Sequence, residues 1–513
     1  MSQTLNVSPF TLIDRVGQRL MVTFPGYELT GPIADFLLEC RAGGVILFGR
    51  NITNLPQVRR LNDDLQQLAR ENNLPPLMIG IDEEGGRVSR MPGDGKAVIT
   101  PSQMAQAVAG REAVATCAGV TARQLRRLGF NLNFAPVLDI NNNPANPVIG
   151  SRSFGMTPEL VGEMGVAAIG AYLAEGIAPC AKHFPGHGDT LVDSHLGLPE
   201  LDFPLTQLWE RELKPFVQAI AAGLPALMTA HILFPAIEPN NLPATLSRLF
   251  MTTLLRDELG FEGVLFTDAL IMRAIADTYG YGVAAVLALQ AGADVVMPLG
   301  KIEEQRICFA TMLEAAERGE FELTASDNRL ARFKARFCQL MRSPLELYPP
   351  QADVELIAQV ARRSVSLIQD ETHLLPLAPA QYVRPALLDF TLAIASPVEE
   401  GRLPGPLLAG LLQQKLPGLT VYNLPADPDE TQAAEYFELA AAHDLLIIVT
   451  RNAFRLERQG RLVRELLQLN KATVILAARD PYDLGAFPNA PTYLALYGDP
   501  PCSLEAAVGL LFG

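Results

Sequence analysis

Four of the six histidines in this 513-residue chain, His183, His187, His195 and His231, lie between residues 181 and 231. In AKHFPGHGDTLVDSHLGLPE (181–200) an apolar run reaches His183, turns on Pro185, Gly186 and Gly188, and then presents His187, Asp189, Asp193 and His195. A neutral imidazole near pH 7 both gives and takes a proton, provided a carboxylate fixes its tautomer. Two pairs offer this at the same spacing, Asp193 with His195 and His187 with Asp189, and spacing does not choose between them. Turn capping would account for any one of these histidines but poorly for four together. Zinc or iron ligation is the other chemistry open to His and Asp. Pro185 and Gly186 argue against it, because HFPGH puts both rings on one face only in a helix.

The complementary group is Asp268 in GVLFTDALIM (263–272), an acid closing an otherwise apolar run. Such a residue suits a nucleophile, although it would also serve as the N-cap of a following helix. A carboxylate nucleophile opposite a proton donor is what retaining glycoside hydrolysis requires. Arg87 and Arg90 in IDEEGGRVSR, Arg152 in IGSRSFG and Lys182 beside His183 would then hold sugar hydroxyls and an acetamido group. Ordinary ion pairs with Asp82, Glu83 and Glu84 are open to each of them. Other chemistries lose support: GDGK (93–96) lacks the upstream Gly of a phosphate loop and is followed by Ala97, no GxGxxG follows an apolar run, and no GxSxG is present.

These residues need a scaffold, and the chain supplies a pattern for one. From residue 16 to about 340, eight short apolar runs (19–24, 44–49, 77–82, 131–136, 179–184, 226–231, 263–268 and 293–298) alternate with amphipathic stretches such as 55–73 and 111–130. Eight parallel βα units close a (β/α)₈ barrel. Asp82, His183, His231 and Asp268 end such runs, and Arg152 lies in the loop after the fourth, so a barrel gathers them at one mouth. An open, doubly wound sheet uses the same alternation but would scatter them. Helical patterns at 302–318 and 324–342 precede SPLELYPPQ (343–351), whose prolines suit an exposed linker. Beyond it the runs 364–368, 386–395, 444–450, 473–478 and 492–498 point to a smaller α/β sandwich. The expected division is a catalytic barrel over 1–343, a linker over 344–352 and a sandwich domain over 353–513.

Composition bounds the rest. A net charge of −15 argues against nucleic acid as partner. Six widely spaced cysteines without a CxxC pair read as reduced core residues, and no metal or other cofactor is expected. No run reaches the roughly 18 apolar residues that span a bilayer, and the N-terminal stretch shows no leader pattern, so no membrane partner and a cytoplasmic location are expected.

The motifs IGIDEEGGRVSRMP (79–92), NLNFAPVLDI (131–140), SRSFG (151–155), KHFPGHGDTLVDSH (182–195), the TAH of the sixth run and FTDALIM (266–272) stand in the order found in glycoside hydrolase family 3. The chain resembles that family, and within it the bacterial β-N-acetylhexosaminidases of the cell-wall-recycling type. KHFPGHG followed by DSH is the most specific match. The resemblance implies a retaining, exo-acting enzyme in which Asp268 forms the glycosyl-enzyme. It also implies His195 as proton shuttle, oriented by Asp193, with substrate contacts from Asp82, Arg90, Arg152, Lys182 and His183. The implied substrate carries terminal β-linked N-acetylglucosamine, from peptidoglycan fragments or chitooligosaccharides. A His in place of the usual carboxylic acid removes a negative charge beside the leaving group, so some phosphorolysis beside hydrolysis is expected. A β-glucosidase or β-xylosidase of the same family, or a catalytically silent sugar-binding barrel, are the rival readings.

Overall fold

The computed structural model describes residues 10–339, 346–391, 399 and 406–513. Within them the first sheet contains β1 (Met21–Val22), β2 (Gly44–Leu47), β3 (Met78–Ile81), β4 (Leu132–Asn133), β5 (Ala178–Phe184), β6 (Ala226–Thr229), β7 (Val264–Ala269) and β8 (Val295–Met297), hydrogen-bonded in that order. Every neighbouring pair is parallel. A parallel bridge between Leu20 and Val296, with the Val296 amide donating to the Arg19 carbonyl at 2.9 Å, draws the last strand back to the first. All eight apolar runs thus become strands of one nearly closed barrel, and the open-sheet alternative falls away.

The runs are mainly apolar because both faces of each strand are buried. In β2, Ile46 joins Met78, Phe134, Met228 and Phe266 inside the barrel, while Val45 and Leu47 pack outward against the helices. Those helices begin where the chain offers caps. The Asn54 side chain accepts the Gln57 amide at 2.9 Å to open Leu55–Glu71, whose Val58, Leu61 and Leu65 face the sheet. The helix Thr324–Phe337 closes the amino-terminal end of the barrel with Phe333 and Phe337, the Phe333 ring standing 6.5 Å from that of Phe266. Its Lys334 binds the carbonyl of Gly43, just ahead of β2, at 2.8 Å. The carboxyl-terminal mouth is left as the open end.

The second sheet, built from β9 (Ser366–Asp370), β10 (Pro385–Thr391), β11 (Thr420–Pro425), β12 (Leu445–Thr450), β13 (Ala472–Ala477) and β14 (Thr492–Ala495), runs in the order β11-β10-β12-β13-β14-β9, with only β9 antiparallel. Apolar cores lie on both of its faces. Five of these strands coincide with expected runs. The edge strand β11 does not, because Asn423 interrupts TVYNLP and leaves no clean apolar pattern. The expected linker begins at 344, outside the described residues, and a helix already starts at Gln351. The end of the helix expected over 324–342 likewise falls at residues 340–342, outside the described residues.

The two halves share apolar contacts. Met104 and Ala105 of the barrel helix Gln103–Ala109 belong to the same core as Phe487, Tyr493 and Tyr497, and Ala109, Ala113 and Val120 pack with Ile357 and Val360. Among the described residues no helix is long and apolar enough to cross a membrane, and five of the six cysteines are buried, all of them free thiols.

Candidate active site

At the open mouth a cavity is lined by Asp82, Arg152, Lys182, His183, His187, His195 and Asp268, with Ile46, Phe48, Val148, Ile149, Met228, Met297 and Leu299 supplying apolar walls. Apolar walls with a few convergent polar groups are typical of small-molecule sites. Six of the eight residues that the family resemblance assigns therefore meet on one surface. The other two stand one layer back, Asp193 behind His195 and Arg90 beside Asp82.

Asp268 is the penultimate residue of β7, and its Oδ1 accepts the Ala269 amide at 2.7 Å. It does not cap a helix: the next one begins at Arg273, after Met272. Burial pushes the Asp268 carboxyl up, but the imidazoles of His231, His183 and His195, together with the Ala269 amide, hold it below the usual carboxylate value. His231 grips this turn from behind, with Nε2 3.1 Å from the Ala269 carbonyl and Nδ1 2.8 Å from Thr245 Oγ1. Burial keeps its own pKa low.

The loop after β5 separates the two His–Asp pairs. His187 is buried, with Nδ1 2.7 Å from Thr190 Oγ1 and Nε2 3.1 Å from Ser194 Oγ. Burial drops its pKa to about 4, so it is a neutral strut inside the loop. Asp189 points away from it to Arg211, at 2.7 Å. Asp193 and His195 do pair: Asp193 Oδ1 lies 2.8 Å from His195 Nδ1 and accepts the His195 amide at 3.0 Å. The His195 side chain is 25% exposed and that of Asp193 only 3%. A buried carboxylate thus fixes a ring that reaches the cavity.

Opposite stands a buried network of charge. Lys182 Nζ lies 2.7 Å from both Asp82 Oδ1 and Glu84 Oε1, and Arg152 forms a bidentate pair with Glu84 at 2.8 and 2.9 Å. Arg90 Nη2 is 3.7 Å from Asp82 Oδ2, and its guanidinium lies 6.0 Å from the centroid of the Phe48 ring. Burial opposes the charge on Glu84, yet Arg152 and Lys182 hold it well below the ordinary carboxyl range. For Lys182, burial is likewise outweighed by Asp82 and Glu84, so the ammonium is held charged.

Sequence reasoning overlooked Asp139. This fully buried acid holds His183 Nδ1 at 2.7 Å and accepts the backbone amides of His183 and His187 at 3.3 and 2.6 Å. Burial raises its carboxyl, and His183 and His187 more than reverse the effect. It lies in NLNFAPVLDI, but its partners are 44 and 48 residues away. Among the described residues no group of three or more His, Cys, Asp or Glu is placed to hold a metal ion. The surface thus opposes an ionised carboxylate to an imidazole beside a pocket rich in hydrogen-bonding charge.

Comparison with known proteins agrees with this chemistry. Residues 11–335 match the family described as the glycosyl hydrolase family 3 N-terminal domain. A protein named β-hexosaminidase A from Pseudoalteromonas piscicida is 36% identical over 371 residues, covering 64% of this chain and 62% of its own length. A β-hexosaminidase from Chromobacterium violaceum is 36% identical over 299 residues, covering 57% of this chain and 82% of its own. The solved structure of a glycoside hydrolase family 3 β-N-acetylglucosaminidase from Paenibacillus sp. str. FPU-7 superimposes with a TM-score of 0.91 at 36% identity, over 98% of this chain and 97% of that one.

Proposed function

The chain belongs to glycosyl hydrolase family 3, and from that premise we propose that it is a retaining, exo-acting β-N-acetylhexosaminidase releasing terminal β-linked N-acetylglucosamine. The observation that carries this reading is one cavity bounded by both Asp268 and His195, with Asp193 behind the imidazole. In the first step an Asp268 oxygen bonds to the anomeric carbon as the bond to the leaving oxygen breaks. The proton for that oxygen comes from His195 Nε2, since Nδ1 faces Asp193. In the second step His195 takes a proton from water, which attacks the same carbon and frees Asp268 in the product of retained configuration. Ionised Asp268, held so by the surrounding imidazoles, matches the nucleophile's task.

Asp82, Lys182, Arg152 and His183 would bind the glycone hydroxyls, with Arg90 steadying Asp82 from behind. The same reading divides the chain into a catalytic barrel over 1–343 and an appended sandwich over 353–513, in keeping with the family match to residues 11–335. Peptidoglycan fragments met in the cytoplasm are the natural substrate we favour, on the resemblance to recycling enzymes; chitooligosaccharides would enter the same pocket.

Turnover of 4-nitrophenyl N-acetyl-β-glucosaminide, 4-nitrophenyl β-glucoside and muropeptides tests the assignment. Preference for the N-acetylglucosaminide is expected. Preference for the glucoside would make the protein a β-glucosidase, and turnover of none would leave a silent sugar-binding barrel. Product analysis in phosphate buffer decides whether phosphorolysis accompanies hydrolysis, and absence of sugar 1-phosphate would remove it.

A further inference from the structure

In parallel α/β sheets, residues that act on other groups collect at the carboxyl ends of the strands. In the second sheet those ends point back at the barrel. Asp480 follows β13 and is buried, and its Oδ1 accepts the Ser151 amide at 2.8 Å. It occupies the place where a side chain at residue 150 would stand: Gly150 has φ +48°, and a Cβ there would come within 2.4 Å of Asp480 Oδ1. Arg455, following β12, binds the carbonyls of Pro144 and Asn146 with one guanidinium nitrogen. The Tyr482 hydroxyl accepts the Asn141 amide hydrogen at 2.7 Å.

All four contacts fall on the loop after β4, and that loop is a wall of the cavity. It contributes Val148, Ile149 and Arg152 to the lining. Asn146 also ties it to the proton-transfer loop, donating to the carbonyls of His187 and Gly188 at 2.8 and 3.0 Å. The barrel holds this loop through Arg152 on Glu84 and Arg87 on the Val148 and Ile149 carbonyls. The second half of the molecule adds Asp480, Arg455 and Tyr482 to these anchors, on the stretch from Asn141 to Ser151.

We infer that Asp480 and Arg455 are positioning residues for sugar binding: the second sheet acts on the reaction by fixing the loop after β4, which carries Arg152 and the apolar wall of the glycone pocket. This rests on the sugar-binding reading of that pocket. Neither residue lines the cavity, so their replacement acts through geometry.

The test compares wild type with Arg455→Met, Arg455→Lys and Asp480→Asn. It measures KM and kcat for 4-nitrophenyl N-acetyl-β-glucosaminide, N-acetylglucosamine affinity by calorimetry, and folding by circular dichroism. A loosened pocket wall raises KM and weakens N-acetylglucosamine by about tenfold in Arg455→Met, and less in Asp480→Asn, whose amide oxygen still accepts from Ser151, with kcat within about threefold of wild type. Arg455→Lys, which keeps a cation for the two carbonyls, recovers part of the loss. Folded Arg455→Met with wild-type KM and affinity overturns the inference even if Asp480→Asn fails to fold, and leaves the proposed function standing. Wild-type protein that cleaves no N-acetyl-β-glucosaminide overturns the proposed function and this inference with it.

Discussion

Asp193 and His195 make a prediction that separates proton transfer from general damage to the site. If the imidazole protonates the departing oxygen, its loss matters most for leaving groups that need the proton. His195→Ala should lower kcat/KM for an alkyl or sugar aglycone by about 10²–10⁴-fold, and far less for 4-nitrophenyl, a leaving group stable as its anion. Equal losses on both substrates would remove His195 from that role. Lys182 makes a second prediction. It lies between Asp82 and Glu84 at 2.7 Å from each, so Lys182→Met would leave two buried carboxylates facing one another. Breaking a buried pair from one side costs about 3–5 kcal/mol, and calorimetry should record a fall in Tm as well as lost sugar affinity; an unchanged Tm would refute the network described for this wall. The chain left ion pairs with Asp82, Glu83 and Glu84 open to Lys182, Arg152 and Arg90, and the structure forms several of them. Residue type and position at a strand end were legible, but Asp139, which meets His183 across 44 residues, was not.

At the scale of elements, the helix Leu208–Glu212 underlies the loop that carries His195. Arg211 holds Asp189 at 2.7 Å, and Glu212, also bound by Arg211, is buried beneath Gly186, where a Cβ would stand 3.0 Å from Glu212 Oε2. Burial raises the Glu212 carboxyl to about 7, against 4.5 for an ordinary glutamate. Between those values the folded chain binds more protons than the unfolded one. The stability that Glu212 contributes below about pH 4.5 is therefore lost as pH rises towards 7. Asp483, which burial also holds near 7, acts in the same direction, while His187 and His231, held low by burial, act in the opposite one. The readout is therefore the difference between variants: the Tm of Glu212→Gln relative to wild type should rise as pH goes from 4.5 to 7. A slope unchanged by Glu212→Gln would place the titration elsewhere. The barrel strands are buried on both faces and stood out as mainly apolar runs. The exposed edge strand β9 did so through its Leu367 and Ile368, whereas β11 did not, because Asn423 interrupts TVYNLP. The strut role of His187 depends on Thr190 and Ser194 closing around it, which spacing alone left open between the two His–Asp pairs.

Across the whole molecule the barrel closes one end with Phe333 and Phe337, leaves its other end open, and receives the second sheet against the chain that follows β3 and β4. Shared cores around Met104 and Ile357 make the two halves one packing unit there, which explains how strands beyond residue 440 reach a loop formed near residue 150. On the proposed mechanism this arrangement serves one event, the transfer of a sugar onto Asp268. The most direct test is incubation with a slow-reacting fluorinated N-acetyl-β-glucosaminide, followed by mass spectrometry of the peptide spanning 263–272. A single sugar bound through Asp268 is the predicted result, whereas a sugar on any other residue, or a first product of α configuration, would contradict it.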